Sequence, residues 1–281
     1  KQSSKTLEEC SPLIMFELKH GQEINHTLID DFKRLGYEPY YLILGLGTLA
    51  PLNLSEPLDS YLLNLFCCKP NTAKQLEKDG YLVAGSEAVP GKDDLILADF
   101  FEQISAFSGV EKREINDQSY RQAINAYIGS RDKTLDKQQR YQYLLFAFEI
   151  VKKVLSLGES KIERLSTYAR IAFDIGQRKV GIQICNYAIN KYLQNRSSIK
   201  ITEPYVPVNE LFESTSQNKN ENDWLLASFI DEYIRKHAFS CYFSKDKAVP
   251  YFNSLRKLGF MLPDMERREQ TLLNLIKSSQ G

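Results

Sequence analysis

The fold is decided by residues 12–44, which read PLIMFELKHGQEINHTLIDDFKRLGYEPYYLIL. A continuous apolar run over residues 13–18 opens this stretch and is typical of a strand buried on both faces of a sheet. A helix follows, because Asn25 can cap its first turn and Gly36 can end it. A second apolar run over residues 40–44 predicts another strand. The stretch therefore predicts the strand–helix–strand order of an α/β domain.

The α/β pattern continues to about residue 85 and then stops. Residues 45–47 (Gly-Leu-Gly) predict a turn, residues 61–68 a third strand and residues 74–79 a second helix. Three strands and one or two helices cannot cover both faces of a parallel sheet. We therefore expect residues 1–85 to be an incomplete α/β unit with exposed apolar surface.

The remainder of the chain carries almost only helix signals. Residues 85–93 contain turn-forming residues and predict a linker to an all-α domain over residues 93–281. Residues 197–222 include two prolines and a polar run, which predicts a long surface loop with a short ordered piece at 208–212. Helices are predicted at residues 95–107, 117–127, 136–157, 161–175, 178–193, 223–243, 247–258 and 265–277.

One predicted helical hairpin, at residues 161–193, has small residues where two helices must cross closely. This spacing resembles a tetratricopeptide unit, but no second copy follows at that period. A single hairpin in a larger helical bundle is the simpler interpretation. The small residues are Ala169, Ala172, Gly176, Gly181, Cys185 and Ala188.

Composition excludes several classes of protein. The 281 residues contain 36 basic and 36 acidic side chains, and this balance argues against binding to nucleic acid. No stretch approaches the roughly 20 apolar residues of a membrane helix. Five cysteines without metal-ligand spacing predict neither a disulfide framework nor a zinc site, which favours a reduced, cytoplasmic setting. The chain begins with Lys1 rather than Met, so we expect it to start partway through a longer protein.

Three polar residues are candidates for a functional site. Glu17, Lys19 and His20 follow the first predicted strand, at the edge of an open α/β sheet where ligands bind. Glu17 or His20 could face a substrate, with His20 accepting a proton because imidazole titrates near neutrality. Alternatively, Glu17 pairs with Lys19 or a helix end, and His20 is a surface loop residue.

Other reactive side chains have simpler interpretations. His26 is expected on a helix surface, and His237 belongs to an aromatic helix that predicts core packing. Cys67 and Cys68 alternate faces of a strand, so at least one should be buried. Most of the 16 tyrosines should serve packing, and contact with a sugar is a minority alternative for Tyr37, Tyr40 and Tyr41.

The order of these motifs resembles the closing section of FkbM-type methyltransferases. The resemblance covers roughly residues 11–70, from the strand ending in Phe16-Glu17, through the helix ending near Gly36-Tyr37, to Asn64-Leu65-Phe66. It implies that the first of these strands is the fifth of a doubly wound, Rossmann-like sheet and that the last one inserts antiparallel. The helical remainder is similar to an extension of some longer members.

The resemblance implies methyl transfer from S-adenosylmethionine to a hydroxyl oxygen of a sugar or similar small molecule. The glycine-rich turn and the acidic residue that hold this cofactor have no counterpart in the chain. We therefore expect S-adenosylmethionine to bind the full-length protein, not this chain alone, which should be inactive. The alternative function is a helical protein-interaction module that binds a protein partner through the domain at 93–281.

Overall fold

The structure is a computed structural model that describes residues 7, 10–20, 23–55, 57–85, 113–156, 161–213, 220–237 and 245–278. It contains a small sheet with two helices, followed by a mostly helical domain. The coarse prediction of a small unit of strands and helices before a helical domain is therefore confirmed, but neighbouring strands are antiparallel rather than parallel as an α/β sheet requires. The predicted helix at 95–107 and most of the predicted linker at 85–93 lie outside the described residues.

The sheet has four strands in the order β1–β6–β4–β5, and every neighbouring pair is antiparallel. Because β6 is antiparallel to both β1 and β4, those two strands run parallel to each other. Their carboxyl-terminal ends therefore lie at the same end of the sheet. A separate two-stranded pair, β2 and β3, lies between β1 and the first helix. The strands are β1 (Ile14–Glu17), β2 (Lys19–His20), β3 (Glu23–Ile24), β4 (Glu38–Ile43), β5 (Thr48–Pro51) and β6 (Asn64–Cys68).

Strand β1 differs from its prediction. We expected burial on both faces, but β1 is an edge strand with alternating exposure, and Met15 is 63% exposed. Met15 and the preceding Leu13 are exposed, but a helix lies on each face of the sheet, so the expectation that one or two helices could not cover both faces is wrong. The sequence also gave no strand prediction for β5, because the four residues from Thr48 to Pro51 are too few to show alternation.

The two faces of the sheet are covered by different helices. Helix α1 (His26–Arg34) covers the face that carries Phe16 and Leu65, and helix α2 (Pro70–Lys78) covers the opposite face around Tyr40. The side chain of Asn25 accepts a hydrogen bond from the Leu28 amide, as its predicted capping role requires. Gly36 ends the turn after α1 with a φ of 81°, which only glycine adopts readily.

Seven further helices form the second part of the described chain. Each predicted helix has a counterpart among them except the one at residues 95–107, which lies outside the described residues. The predicted helix at 223–243 ends at Lys236, and the rest of that prediction lies largely outside the described residues. The helices are α3 (Gln118–Arg131), α4 (Lys137–Ser156), α5 (Ile162–Asp174), α6 (Arg178–Asn195), α7 (Glu221–Lys236), α8 (Val249–Leu258) and α9 (Pro263–Ser278).

The α5–α6 hairpin crosses at its small residues, as predicted. A Cβ atom at Gly181 would lie 2.5 Å from the Phe173 ring, so only glycine allows this approach. Ala169, Ala172 and Cys185 are fully buried at the same crossing. The likeness to a tetratricopeptide unit stays a prediction.

The predicted surface loop at 197–222 is wrong for its central part. Tyr205, Val206 and Val208 are buried among the helices. The Ser166 hydroxyl donates to the Val206 carbonyl, and the Val206 amide donates to the Thr167 hydroxyl. Helix α5 therefore supplies the hydrogen bonds that a buried backbone needs, and prolines without an N–H reduce that need. The short ordered piece is confirmed as a 3₁₀ turn at Glu210–Phe212.

Candidate functional site

The three predicted site residues lie at the end of the sheet that holds the carboxyl-terminal ends of β1 and β4. Glu17 is exposed, lies opposite Asn64 in the sheet, and makes no ion pair with the described residues. Lys19 and His20 follow as strand β2, and their side-chain positions lie outside the description. Between them, Leu18 is buried and its amide donates to the Leu63 carbonyl at 2.6 Å. The site prediction therefore stays a prediction.

The helical domain contacts this same end of the sheet, where β1 and β4 terminate. The Gly45 amide, just after β4, donates to the Asp174 carbonyl at the end of α5 at 2.9 Å. A Cβ atom at Gly45 would lie 2.7 Å from the Asp174 Cβ, so the glycine lets the two backbones meet. Nearby, Gly176 approaches the Tyr41 ring and the Leu42 carbonyl.

The glycine-rich turn at residues 45–47 does not have the form of a cofactor-binding loop. The Gly45–Gly47 turn joins β4 to β5 rather than opening a helix, and Asp174 fills the space beside Gly45. Among the described glycine-containing turns, none leads from a strand into a helix, as a cofactor loop must. The interpretation of residues 45–47 as a turn is confirmed.

A cleft of about 450 Å³ lies between the sheet and helices α4, α5 and α6. One wall is the segment from β5 to β6, which crosses the α1 face of the sheet and hydrogen-bonds to Leu18 through Leu63. The opposite wall is helical. The volume is in the range of sites that bind small molecules, roughly 300–1,000 Å³. The residues that shape it most are Tyr41, Leu58, Tyr141, Phe148, Tyr168 and Gln177.

Four aromatic rings line this cleft. Phe148 and Tyr168 contact each other with their ring centroids 5.6 Å apart and their planes tilted by 42°. The Tyr141 hydroxyl is hydrogen-bonded to that of Tyr41, which joins helix α4 to strand β4. Phe148 and Tyr141 are buried, whereas Tyr168 and Tyr41 are half-buried. The cleft is thus lined by aromatic side chains, two of which are buried in the packed core.

The polar groups around the cleft have distinct roles. Both carboxylate oxygens of Asp59 accept backbone hydrogen bonds, from Tyr61 and from Lys179 at the start of α6. The Lys152 ammonium lies 5.9 Å from the centre of the Phe148 ring. Glu149 and Gln177 line the cleft without a side-chain hydrogen bond to any described residue. These two side chains are therefore available to a ligand.

Tyr168 and Tyr141 stay protonated at neutral pH. Burial raises the pKa of Tyr168 to about 12, and the negative charge of Glu149 adds to this effect. Burial also raises the pKa of Tyr141, although its hydrogen bond with Tyr41 opposes the change. Hydroxyls in this state donate and accept hydrogen bonds but do not act as bases. The described cleft is suited to binding.

The remaining sequence candidates are not part of the cleft. His26 is exposed, and His237 stacks on Tyr233 at the end of α7 with centroids 4.7 Å apart. Cys67 and Cys68 are both buried, and burial raises the pKa of the Cys67 thiol to about 12, which disfavours a nucleophilic thiolate. Within the described ranges, no cluster of metal-ligating side chains occurs, and no helix is long and apolar enough to cross a bilayer.

Sequence reasoning singled out the tyrosines of β4 but missed the helical side of the cleft. Tyr37 and Tyr40 are buried in the core, as the packing interpretation expected, whereas Tyr41 lines the cleft. Residues 141, 145, 148 and 152 all line it from one face of α4. Their spacing of three and four residues is visible in the sequence. The sequence could not show that a cleft remains between these side chains and the sheet.

No family model, no curated protein and no solved structure matches this chain.

Proposed function

We propose that this chain forms the closing section of an S-adenosylmethionine-dependent methyltransferase of the FkbM type, which methylates a hydroxyl of a sugar or similar small molecule. One observation carries the proposal. Strand β6 lies between β1 and β4 and is antiparallel to both, while β1 and β4 are parallel to each other. This is the arrangement that the resemblance implies, with the last strand inserted antiparallel.

The open edge of β1 supports the same proposal. Within the described residues, no strand pairs with β1 on the side away from β6. Met15 is 63% exposed and Leu13 is 41% exposed beside it. The unpaired backbone N–H and C=O groups of an edge strand can pair with a further strand. The proposed methyltransferase sheet continues through this edge, and the strands beyond it carry the cofactor.

The acceptor is proposed to bind at the end of the sheet where the carboxyl-terminal ends of β1 and β4 lie. Ligands of open α/β sheets bind outside the carboxyl ends of the parallel strands. This end of the sheet carries Glu17, Lys19 and His20, and the helical domain contacts it at Gly45. In the proposed mechanism, His20 removes the proton of the acceptor hydroxyl, and Glu17 and Lys19 orient the acceptor.

The test uses the protein encoded by the complete reading frame that contains this chain. The proposal expects a strand, a glycine-rich turn and a helix upstream of Lys1, and transfer of a labelled methyl group from S-adenosylmethionine to a hydroxylated acceptor. His20→Gln should lower the rate, whereas His26→Gln, an exposed histidine on α1, should not. A complete protein that neither binds nor consumes the cofactor would refute the proposal.

A second candidate function is protein interaction through the helical domain. A surface pocket of about 600 Å³ between α5, α6 and the segment after α6 is lined by Lys161, Lys191 and Lys200, by the half-exposed Tyr187 and by the buried Glu163. Of these lysines, Lys161 also pairs with Glu203. Such a pocket suits an acidic segment of a partner. The test is binding of a Glu-rich peptide against its Lys-rich counterpart, with Lys200→Glu expected to abolish the preference; equal binding of both peptides would refute it.

A further inference from the structure

We infer that the cleft between the sheet and helices α4–α6 is a binding site for an uncharged, ring-shaped polyhydroxylated ligand, that is, a neutral glycoside. The inference concerns binding by this chain itself and needs no methyl transfer. Only the identification of the bound ligand as the methyl acceptor rests on the proposed function.

Shape and apolar surface are the first argument. Tyr41 and Tyr168 are half-buried and both line the cleft, so part of each side chain is accessible to a ligand. A sugar ring presents one face of C–H groups, and these are attracted to the negative face of an aromatic ring. Phe148 supports Tyr168 from the buried side, at 5.6 Å between ring centroids. The stacking surface is therefore held in place before a ligand arrives.

Hydrogen bonding is the second argument. A polyol needs both donors and acceptors around its rim. Glu149 provides an acceptor, and the Gln177 amide provides both a donor and an acceptor. The Tyr168 hydroxyl, which lines the same cleft, can donate or accept. Groups of this kind replace the water that the ligand's hydroxyls lose on binding, which a purely apolar ligand would not require.

Charge is the third argument, and it selects an uncharged ligand. The charged side chains that line the cleft are Asp59, Glu149 and Lys152. Asp59 is committed to two backbone amides, and Lys152 faces the Phe148 ring. An anionic sugar would meet Glu149, and a cationic one would meet Lys152. Neither sign is favoured strongly enough to hold a charged ligand.

Location is the fourth argument. Leu62 lines the cleft, and the next residue, Leu63, accepts the hydrogen bond from Leu18, which directly follows Glu17. The cleft is thus connected by one short segment to the edge that carries the predicted site. If the proposed function also holds, a glycoside in the cleft lies beside the edge where methyl transfer occurs.

The experiment titrates the 281-residue chain with maltose, cellobiose and lactose, using saturation-transfer NMR and calorimetry. Glucuronic acid and glucosamine serve as charged counterparts of glucose. We expect at least one neutral disaccharide to bind, and neither charged sugar to bind more tightly than glucose. Tyr168→Ala should weaken binding roughly tenfold, because one ring stack is lost.

The matched control is Tyr81→Ala, which removes a tyrosine that is 59% exposed and outside the cleft. It should leave saccharide affinity within about twofold. Glu149→Gln keeps an acceptor and removes the charge, so neutral ligands should still bind. The inference is overturned if no neutral disaccharide binds, if Tyr168→Ala has no more effect than Tyr81→Ala, or if a charged sugar binds more tightly. Saccharide binding together with a complete protein that lacks methyl transfer would refute the proposed function and leave this inference standing.

Discussion

The two edges of the sheet are treated differently by the rest of the chain. At the β5 edge, the Leu49 amide donates to the Tyr81 carbonyl, and the Val83 amide donates to the Leu49 carbonyl. The next residue, Ala84, exchanges two hydrogen bonds with the Gln138 side chain of α4. At the β1 edge, no described residue supplies a comparable cover, and Met15 is exposed.

This difference shows which edge strand is covered by other residues of the described chain. Proteins commonly cover or charge an edge strand because its free backbone groups can pair with another strand. The β5 edge is covered and fastened to the helical domain. At the β1 edge, the described residues provide no partner strand for the outer backbone groups, and such groups can pair with another strand. Our functional proposal depends on this asymmetry.

The covered edge should be sensitive to loss of Leu82. This residue is 6% exposed and packs with Tyr40, Leu49 and Cys68. Leu82→Ala should lower the free energy of unfolding by about 2–5 kcal/mol, because it removes buried methyl groups and leaves a cavity. Denaturant unfolding measures the change. A loss below about 1 kcal/mol would mean that the cover contributes little, and the comparison of the two edges would fail.

The contact between the sheet and α5 should tolerate no side chain at Gly45. In Gly45→Ala, the new Cβ would overlap Asp174, so the two backbones must separate at a cost of about 1–3 kcal/mol in unfolding free energy. The control is Gly85→Ala, whose Cβ would meet only Pro51 at 3.7 Å, an ordinary contact. Equal stability of both variants, measured by thermal and denaturant unfolding, would show that the helical domain does not rest on this turn.

The open edge should be nearly indifferent to loss of Met15. Because that side chain is 63% exposed, Met15→Ala should change the unfolding free energy of this chain by less than about 0.5 kcal/mol. In the complete protein, the same substitution should be more costly if a neighbouring element covers Met15. Comparing the two effects by denaturant unfolding sharpens the contrast between the edges; an equal, small effect in both proteins would argue against a neighbour.

The sequence predicted the parts of this molecule that depend on local rules. The Asn25 cap, the Gly36 stop and the small residues of the α5–α6 crossing are each fixed by nearby backbone geometry. The same rules failed where partners come from far along the chain. A buried run such as residues 203–209 looks like a loop, because its hydrogen bonds come from α5.

The candidate site shows the same division. Glu17, Lys19 and His20 were placed at a strand end from the local pattern, and the chain does bring that strand end to the edge shared with β4. The cleft could not be predicted, because Tyr41 and Tyr168 come from separate parts of the chain that meet only after the helical domain contacts the sheet. The burial of β1 was mispredicted because an apolar run indicates neighbours without showing whether this chain provides them.

The most direct measurement is residue-resolved hydrogen exchange of β1 in this chain and in the protein from the complete reading frame. Our account predicts that the β1 amides pointing away from β6 exchange freely in this chain and become at least tenfold more protected in the complete protein. The β5 amides, already covered by residues 81–83, should change little. Unchanged, fast exchange of those β1 amides in the complete protein would contradict the claim that the sheet continues through this edge.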